Sequence, residues 1–306
     1  MKSNFLKSIR FAILASAWTT AYTFGGDNDR TISISTNGSK FITPILEKWV
    51  DEYRKEHPEV QFNIGDQVEN GTLSVIVSGT DDITQKVIFA GKYALLPVSN
   101  PKNPFFRKGK GLSKKDLKNI LFEKSILDAE DDYGKDRYKV NVYSRTGKNG
   151  GTPVILANFF ESTPKQIKGK KLFGDEIYIL NAIRRDSVGF AYTSLNYLYD
   201  LQTRALNPDL SLVPLSIKSK QKEKLYSSDI DQVITLLENE EVELIPVENF
   251  GFVFSERNNT DAIVFVEWIL EKGQQYNHEL GFLQLDGQAL VAQEKQLRNE
   301  VLLSAK

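Results

Sequence analysis

Between residues 30 and 64 the hydrophobic period changes twice, and few folds accept that change. Arg30–Ser35 alternates Ile32 and Ile34 with polar residues, the period of a strand. Thr36-Asn37-Gly38-Ser39 is a turn, after which Phe41, Ile45, Leu46, Trp49, Val50 and Tyr53 recur at helical spacing. Pro58 stops that helix, and Val60–Ile64 reads as the next strand. Strand–helix–strand is the unit of a parallel sheet, so the chain reads as α/β.

The remaining pattern continues the theme. Leu73–Ser78, Lys86–Phe89 and the strongly apolar Tyr93–Val98 read as strands, the last stopped by Ser99-Asn100-Pro101-Lys102-Asn103-Pro104. Ser113 is placed to cap a helix over Lys114–Phe122 with Leu117, Ile120 and Leu121 on one face. Tyr138–Tyr143 is a strand delivering Arg145, and Val154–Phe160 a helix after the intervening loop. Asp175–Ile183, Ile230–Glu238 and Asp261–Lys272 read as helices, with Ile263, Val264, Val266, Trp268, Ile269 and Leu270 as the apolar set of the last. Val188–Tyr192, Leu212–Ile217 and Gly251–Phe254 read as strands. Trp49 and Trp268 fall on apolar helix faces and are assigned to the core.

A chain of 306 residues has room for two domains. Its net charge of -1 provides no global field for nucleic acid or an anionic membrane. The absence of cysteine removes disulfides, thiol catalysis and iron–sulfur clusters. Lys2, Lys7 and Arg10 precede the apolar run Phe11–Trp18, the layout of a secretory signal peptide over residues 1–24, with Ala15-Ser16-Ala17 and Thr19-Thr20-Ala21 as cleavage candidates. The expected product is exported, periplasmic or extracytoplasmic, and does not span a membrane.

The segment with most chemistry is Arg145-Thr146-Gly147-Lys148-Asn149-Gly150-Gly151-Thr152, followed by Pro153 and an apolar run. Thr152 suits an N-cap and Pro153 the first helical position. A fixed positive charge, flexible glycines and the free N–H groups of a helix start together suit a small oxyanion. Catalytic constellations are missing. His57 and His278 are isolated, no cysteine or histidine pair offers a metal site, and no Gly-x-Ser-x-Gly elbow occurs. Asp128–Asp136 is acidic but lacks calcium-loop spacing, and the basic run Lys165–Lys171 reads as a solvated loop. The expectation is binding without catalysis, cofactor or metal.

Four segments, in order, resemble one family. Gly38-Ser39-Lys40-Phe41-Ile42-Thr43-Pro44 through Glu47-Lys48-Trp49 is similar to its opening turn and Lys-Trp helix, and Gly111–Leu121 to its leucine-serine helix. Ser144–Thr152 is similar to its Arg…Gly-Ser-Gly-Thr loop. Phe265-Val266-Glu267-Trp268, Gly273-Gln274-Gln275 and Leu280–Leu285 are similar to its C-terminal helix and exit, and Val188–Tyr192 to its Ile-Gly-Tyr strand. The family is the phosphate-binding, periplasmic substrate-binding proteins of ABC importers. The resemblance implies two α/β lobes, each a mostly parallel sheet flanked by helices, around a ligand cleft. Residues 25–97 and 247–306 would form lobe 1 and residues 98–246 lobe 2.

It implies a site of Ser39, Lys40, Phe41, Arg145, Gly150, Gly151 and Thr152, with backbone N–H groups and the Ser39 and Thr152 hydroxyls as donors. The implied partners are phosphate or a similar oxyanion and an ABC permease, with the protein a monomer. The sequence also departs from the family. Lys40 replaces a threonine, Gly150 replaces a serine, the loop is one residue longer, and the first-lobe serine–glycine turn and aspartate have no match. These departures keep a second expectation open: a degenerate member serving as a sensor or interaction module without phosphate binding.

Overall fold

A computed structural model of the chain describes residues 30–68, 71–77, 87–107, 111–123, 139–146, 151–255 and 259–304. The leader over residues 1–24, Gly150, the acidic stretch Asp128–Asp136 and the strand ends at Ser78, Lys86 and Tyr138 lie outside these residues.

Strands β1 (Thr31–Ser35), β2 (Gln61–Gly65) and β3 (Leu73–Val77) lie parallel in the order β2-β1-β3. Helix α1 (Thr43–Glu56) joins the first two and buries Ile45, Leu46, Trp49, Val50 and Tyr53, the stripe legible in the sequence. The route from β2 to β3 differs from a standard crossover. β3 overlaps β1 only at Ile34 and Ser35, the end of β1 at which β2 also finishes. The chain therefore re-enters the sheet near where it left it. Residues 66–72 suffice, where a return along the strands takes roughly a dozen residues or more.

The sheet continues through β9 (Val247–Phe254), antiparallel to β3, to β4 (Ile88–Ser99). β4 changes partner halfway along. Ile88–Ala94 pairs with β9, and Leu95–Ser99 with β7 (Gly189–Ser194). Beyond β7 lie β5 (Asn141–Arg145) and β6 (Lys170–Leu172), both parallel to their neighbours, while β8 (Ser211–Leu212) adds to the far end of β4. Both ends of the sheet are thus parallel, and the antiparallel pairs meet in the middle.

The flanking helices are α2 (Lys114–Leu121), α3 (Thr152–Phe159), α4 (Glu176–Arg185), α5 (Leu195–Leu198), α6 (Ser219–Leu225), α7 (Ile230–Asn239), α8 (Thr260–Glu271) and α9 (Gly287–Ser304). Ser113 caps α2 in a reciprocal capping box with Asp116, at 3.2 Å and 3.0 Å. Trp49 is fully buried, stacks on Phe250 and donates to the Gly273 carbonyl at 2.9 Å, tying α1 to the segment after α8. Trp268 is buried as expected.

Several local readings change: the basic run Lys165–Lys171, expected as a loop, runs into β6, the strands expected at Lys86–Phe89 and Tyr93–Val98 are one strand, β4, and the short α5 was not expected. The strand expected over Leu212–Ile217 is reduced to β8, because Pro214 has no N–H to extend a ladder and Leu215 instead makes a single bridge to Leu112. Val264 of α8 is 38% exposed, off the buried face. Helices α6 and α9 were not anticipated. They rest on good helix formers such as Gln, Lys, Glu, Leu and Ala rather than on a sharp apolar stripe.

Candidate functional site

Arg145 is the last residue of β5, held in register with Leu172 of β6. The loop that follows re-enters the described chain at Gly151, whose φ of +87° is a conformation glycine adopts without steric cost. Thr152 and Pro153 then open α3. That helix has no side-chain cap, Pro153 carries no N–H, and the Val154 and Ile155 N–H groups donate to the Gly151 carbonyl at 3.0 Å and 3.2 Å, so of its start only the Gly151 and Thr152 N–H groups remain without a partner among the described residues. Arg145 points back across the sheet, and its Nη2 donates to the Gly38 carbonyl at 3.3 Å. The Arg145 Nε is buried and has no hydrogen-bond partner among the described residues. The structure therefore brings Arg145 and the 38–41 turn together, although residues far apart in sequence supply them.

The turn itself is occupied. The Gly38 N–H donates to Asp66 Oδ1 at 2.7 Å, and the Asn37 N–H to the Asp66 carbonyl at 3.0 Å. The Ser39 N–H donates to the Thr36 carbonyl at 2.8 Å, and the Ile42 N–H to the Ser39 carbonyl at 3.0 Å. The Ser39 N–H, expected to meet a ligand, is thus spent inside the turn. Lys40 is exposed. Phe41 is buried, with its ring 4.8 Å from that of Tyr93 and its carbonyl accepting from Asn196 Nδ2 at 3.0 Å.

Behind Arg145 lies a residue the sequence did not single out. Glu176, first residue of α4, is 2% exposed. Its carboxyl meets Thr152 Oγ1 at 3.0 Å, Thr193 Oγ1 at 3.1 Å and Ser194 Oγ at 3.3 Å. Burial pushes its pKa above the usual carboxylate range, against the opposing pull of the Arg145 charge, the Thr152 and Thr193 hydroxyls and the Ser194 N–H. The Thr152 hydroxyl, expected to face a ligand, is therefore turned inward to Glu176. An acidic residue in the first turn of a helix is an ordinary helix-start feature, which hid Glu176 in the sequence. Next to it, Asp175 caps α4 and accepts from the Tyr197 hydroxyl at 2.5 Å.

The two histidines stand apart from this constellation. His57 stacks on Tyr53, and His278 pairs with Glu238 at 2.7 Å. Among the described residues no group of His, Cys, Asp and Glu is placed to hold a metal. No helix among them is long and apolar enough to cross a membrane.

No family model and no curated protein matches the sequence. Solved structures do match the fold. A phosphate ABC transporter substrate-binding protein, so assigned, from Clostridium perfringens with bound phosphate aligns over 84% of this chain and 100% of its own, at 15% identity and a TM-score of 0.57. An ABC-type phosphate transport receptor from Vibrio cholerae covers 83% of this chain and 100% of its own, at 14% identity and 0.51. A possible phosphate binding protein from Planctomyces limnophilus covers 89% and 98%, at 14% identity and 0.50. All three are named for binding or transport and none for catalysis. This chain has their α/β fold.

Proposed function

We propose that this protein is an exported solute-binding protein that captures phosphate or a related small oxyanion between two lobes and delivers it to an ABC importer. The lobes are residues 25–97 with 247–306, and residues 98–246, joined where β4 changes partner between Ala94 and Leu95. The observation that carries this reading is Arg145. It reaches from β5 to the Gly38 turn and keeps a buried Nε with no partner among the described residues, near the start of α3, which has no side-chain cap. A guanidinium is permanently charged and presents a planar fork to oxyanion oxygens. A helix start adds N–H donors and a partial positive charge. The similar fold of the Clostridium perfringens protein holds phosphate, which supports the choice of ligand.

Arg145 and the N–H groups of Gly151 and Thr152 are the core donors in this reading. Gly150 belongs to the same loop. On the opposite wall, Lys40 contributes charge, with Ser39 and Phe41 buried beside it. Calorimetry of phosphate binding to the mature chain tests it: binding heat that disappears in Arg145→Ala is the expected result. Silence toward phosphate, sulfate and organic phosphates would overturn it.

A further inference from the structure

The hydrogen bonds behind Arg145 can be counted proton by proton. The Phe41 carbonyl can only accept, so the face of Asn196 turned to it at 3.0 Å is the amide NH2. Asn196 Oδ1 then faces Ser194 Oγ at 2.5 Å. An amide oxygen carries no proton, so the hydrogen in that contact belongs to Ser194. A serine hydroxyl has a single proton to give. With that proton committed to Asn196, Ser194 Oγ can only accept at its other contact, 3.3 Å from Glu176 Oε2. A hydrogen bond at that contact therefore takes its hydrogen from Glu176, whose carboxyl also accepts from the Ser194 N–H.

We infer that Glu176 is held as a neutral acid whose Oε2–H donates to Ser194 Oγ, and that it is a positioning residue for the anion site, an inference whose second half rests on the function proposed above. The chain Glu176–Ser194–Asn196 ends on the Phe41 carbonyl. It links the start of α4 to the turn before α1 through donors that all run one way. The other oxygen of Glu176 accepts from Thr152 Oγ1 and so fixes the first residue of α3.

The surroundings suit a neutral acid. From β5, the Arg145 charge acts on Glu176. On its own helix, Asp175 is engaged by the Tyr197 hydroxyl. From β4, the almost fully buried Tyr93 hydroxyl lies within electrostatic reach of Glu176 and of Glu248 of β9. α3 and β7 present the hydroxyls of Thr152, Thr193 and Ser194. A neutral Glu176 does not cancel the Arg145 charge, so an arriving anion meets more of it. An ionised Glu176 would cancel that charge and remove the proton that closes the relay.

Infrared spectroscopy of the full chain, without ligand, tests the acid. The carbonyl stretch of a protonated carboxylic acid is expected at neutral pH, lost in Glu176→Gln and shifted in Ser194→Ala, where the acid proton loses its acceptor. Coincident wild-type and Glu176→Gln spectra would overturn the assignment. Should the glutamine variant fail to fold, an unshifted band in Ser194→Ala overturns it equally. Phosphate calorimetry against pH then tests the positioning role. Above the Glu176 pKa the wild-type affinity falls, relative to Glu176→Gln, by up to about tenfold per pH unit, the limit for one linked proton. Phosphate's own ionisation is common to both proteins, so parallel profiles would overturn the role. A persisting acid band with no phosphate binding in either protein removes the proposed function and leaves the neutral acid standing.

Discussion

Two helices here begin with proline in the first turn and no side-chain cap, α1 at Pro44 and α3 at Pro153, and their surroundings meet that need in opposite ways. Before α1 the chain winds through a 3-10 turn, Lys40–Ile42, whose Lys40 carbonyl takes the Thr43 N–H, and on the turn ahead of it Asp66 takes the Gly38 N–H while the Ser39 N–H closes onto Thr36. Before α3 stands a guanidinium whose Nε has no partner among the described residues, and the carboxyl on which its charge acts, Glu176, is buried. One start already has its anion. The other holds a charge in waiting. In the proposed site an external anion would have its strongest donors on the α3 side, with the α1 side mainly a wall.

The sharpest way to break this contrast is Arg145→Ala. Losing a charge-assisted donor pair should cost about 1.5–3 kcal/mol of phosphate binding, roughly ten- to a hundredfold in affinity, read by calorimetry. An unchanged affinity would mean that the α3 side is not the binding side.

Next in size is the response of stability to pH. A carboxyl whose folded pKa is raised binds its proton more tightly in the folded state. Its contribution is complete below the unfolded value of about 4.3 and is lost as pH rises through the folded value. The melting temperature of the wild type should fall across that window, and that of Glu176→Gln should stay flatter. Equal slopes would show that Glu176 does not titrate there.

On the α1 side, Asp66→Ala should cost about 1 kcal/mol of stability, from loss of the bond to the Gly38 N–H, with little change in phosphate affinity. Chemical denaturation and calorimetry read the two effects separately. A clear gain in affinity would mean that Asp66 competes with the ligand for that turn. The smallest effect belongs to Lys40→Ala. An exposed lysine contributes about 0–1 kcal/mol, and that contribution should shrink further with added salt.

The α1 stripe, the α2 cap and the strand carrying Arg145 were legible because each follows from local period or local capping chemistry. The meeting of Arg145 with Gly38 followed only from the family resemblance, since local pattern does not relate residues so distant in the chain. Asp66 and Glu176 were not legible. Each looks like an ordinary surface carboxylate in sequence, and each gains its role from neighbours that the sheet brings in: Gly38 for one, Thr152, Thr193 and Ser194 for the other. The β2–β3 connection was also hidden, because a stagger between strands leaves no mark on hydrophobic period.

The place of β9 in the sheet has a consequence for biogenesis. β3 has β9 as a neighbour, with Leu73 opposite Phe254 and Val77 opposite Phe250, and the first half of β4 depends on the same strand. As the chain is synthesised from its N-terminus, the sheet begun by β1 stays open at that edge until residue 254 has emerged. Pairings this distant in sequence are slow to form and late to close. The chain can thus be kept from premature folding for most of its synthesis, and a truncation before Val247 should leave the β3 edge exposed and prone to aggregation.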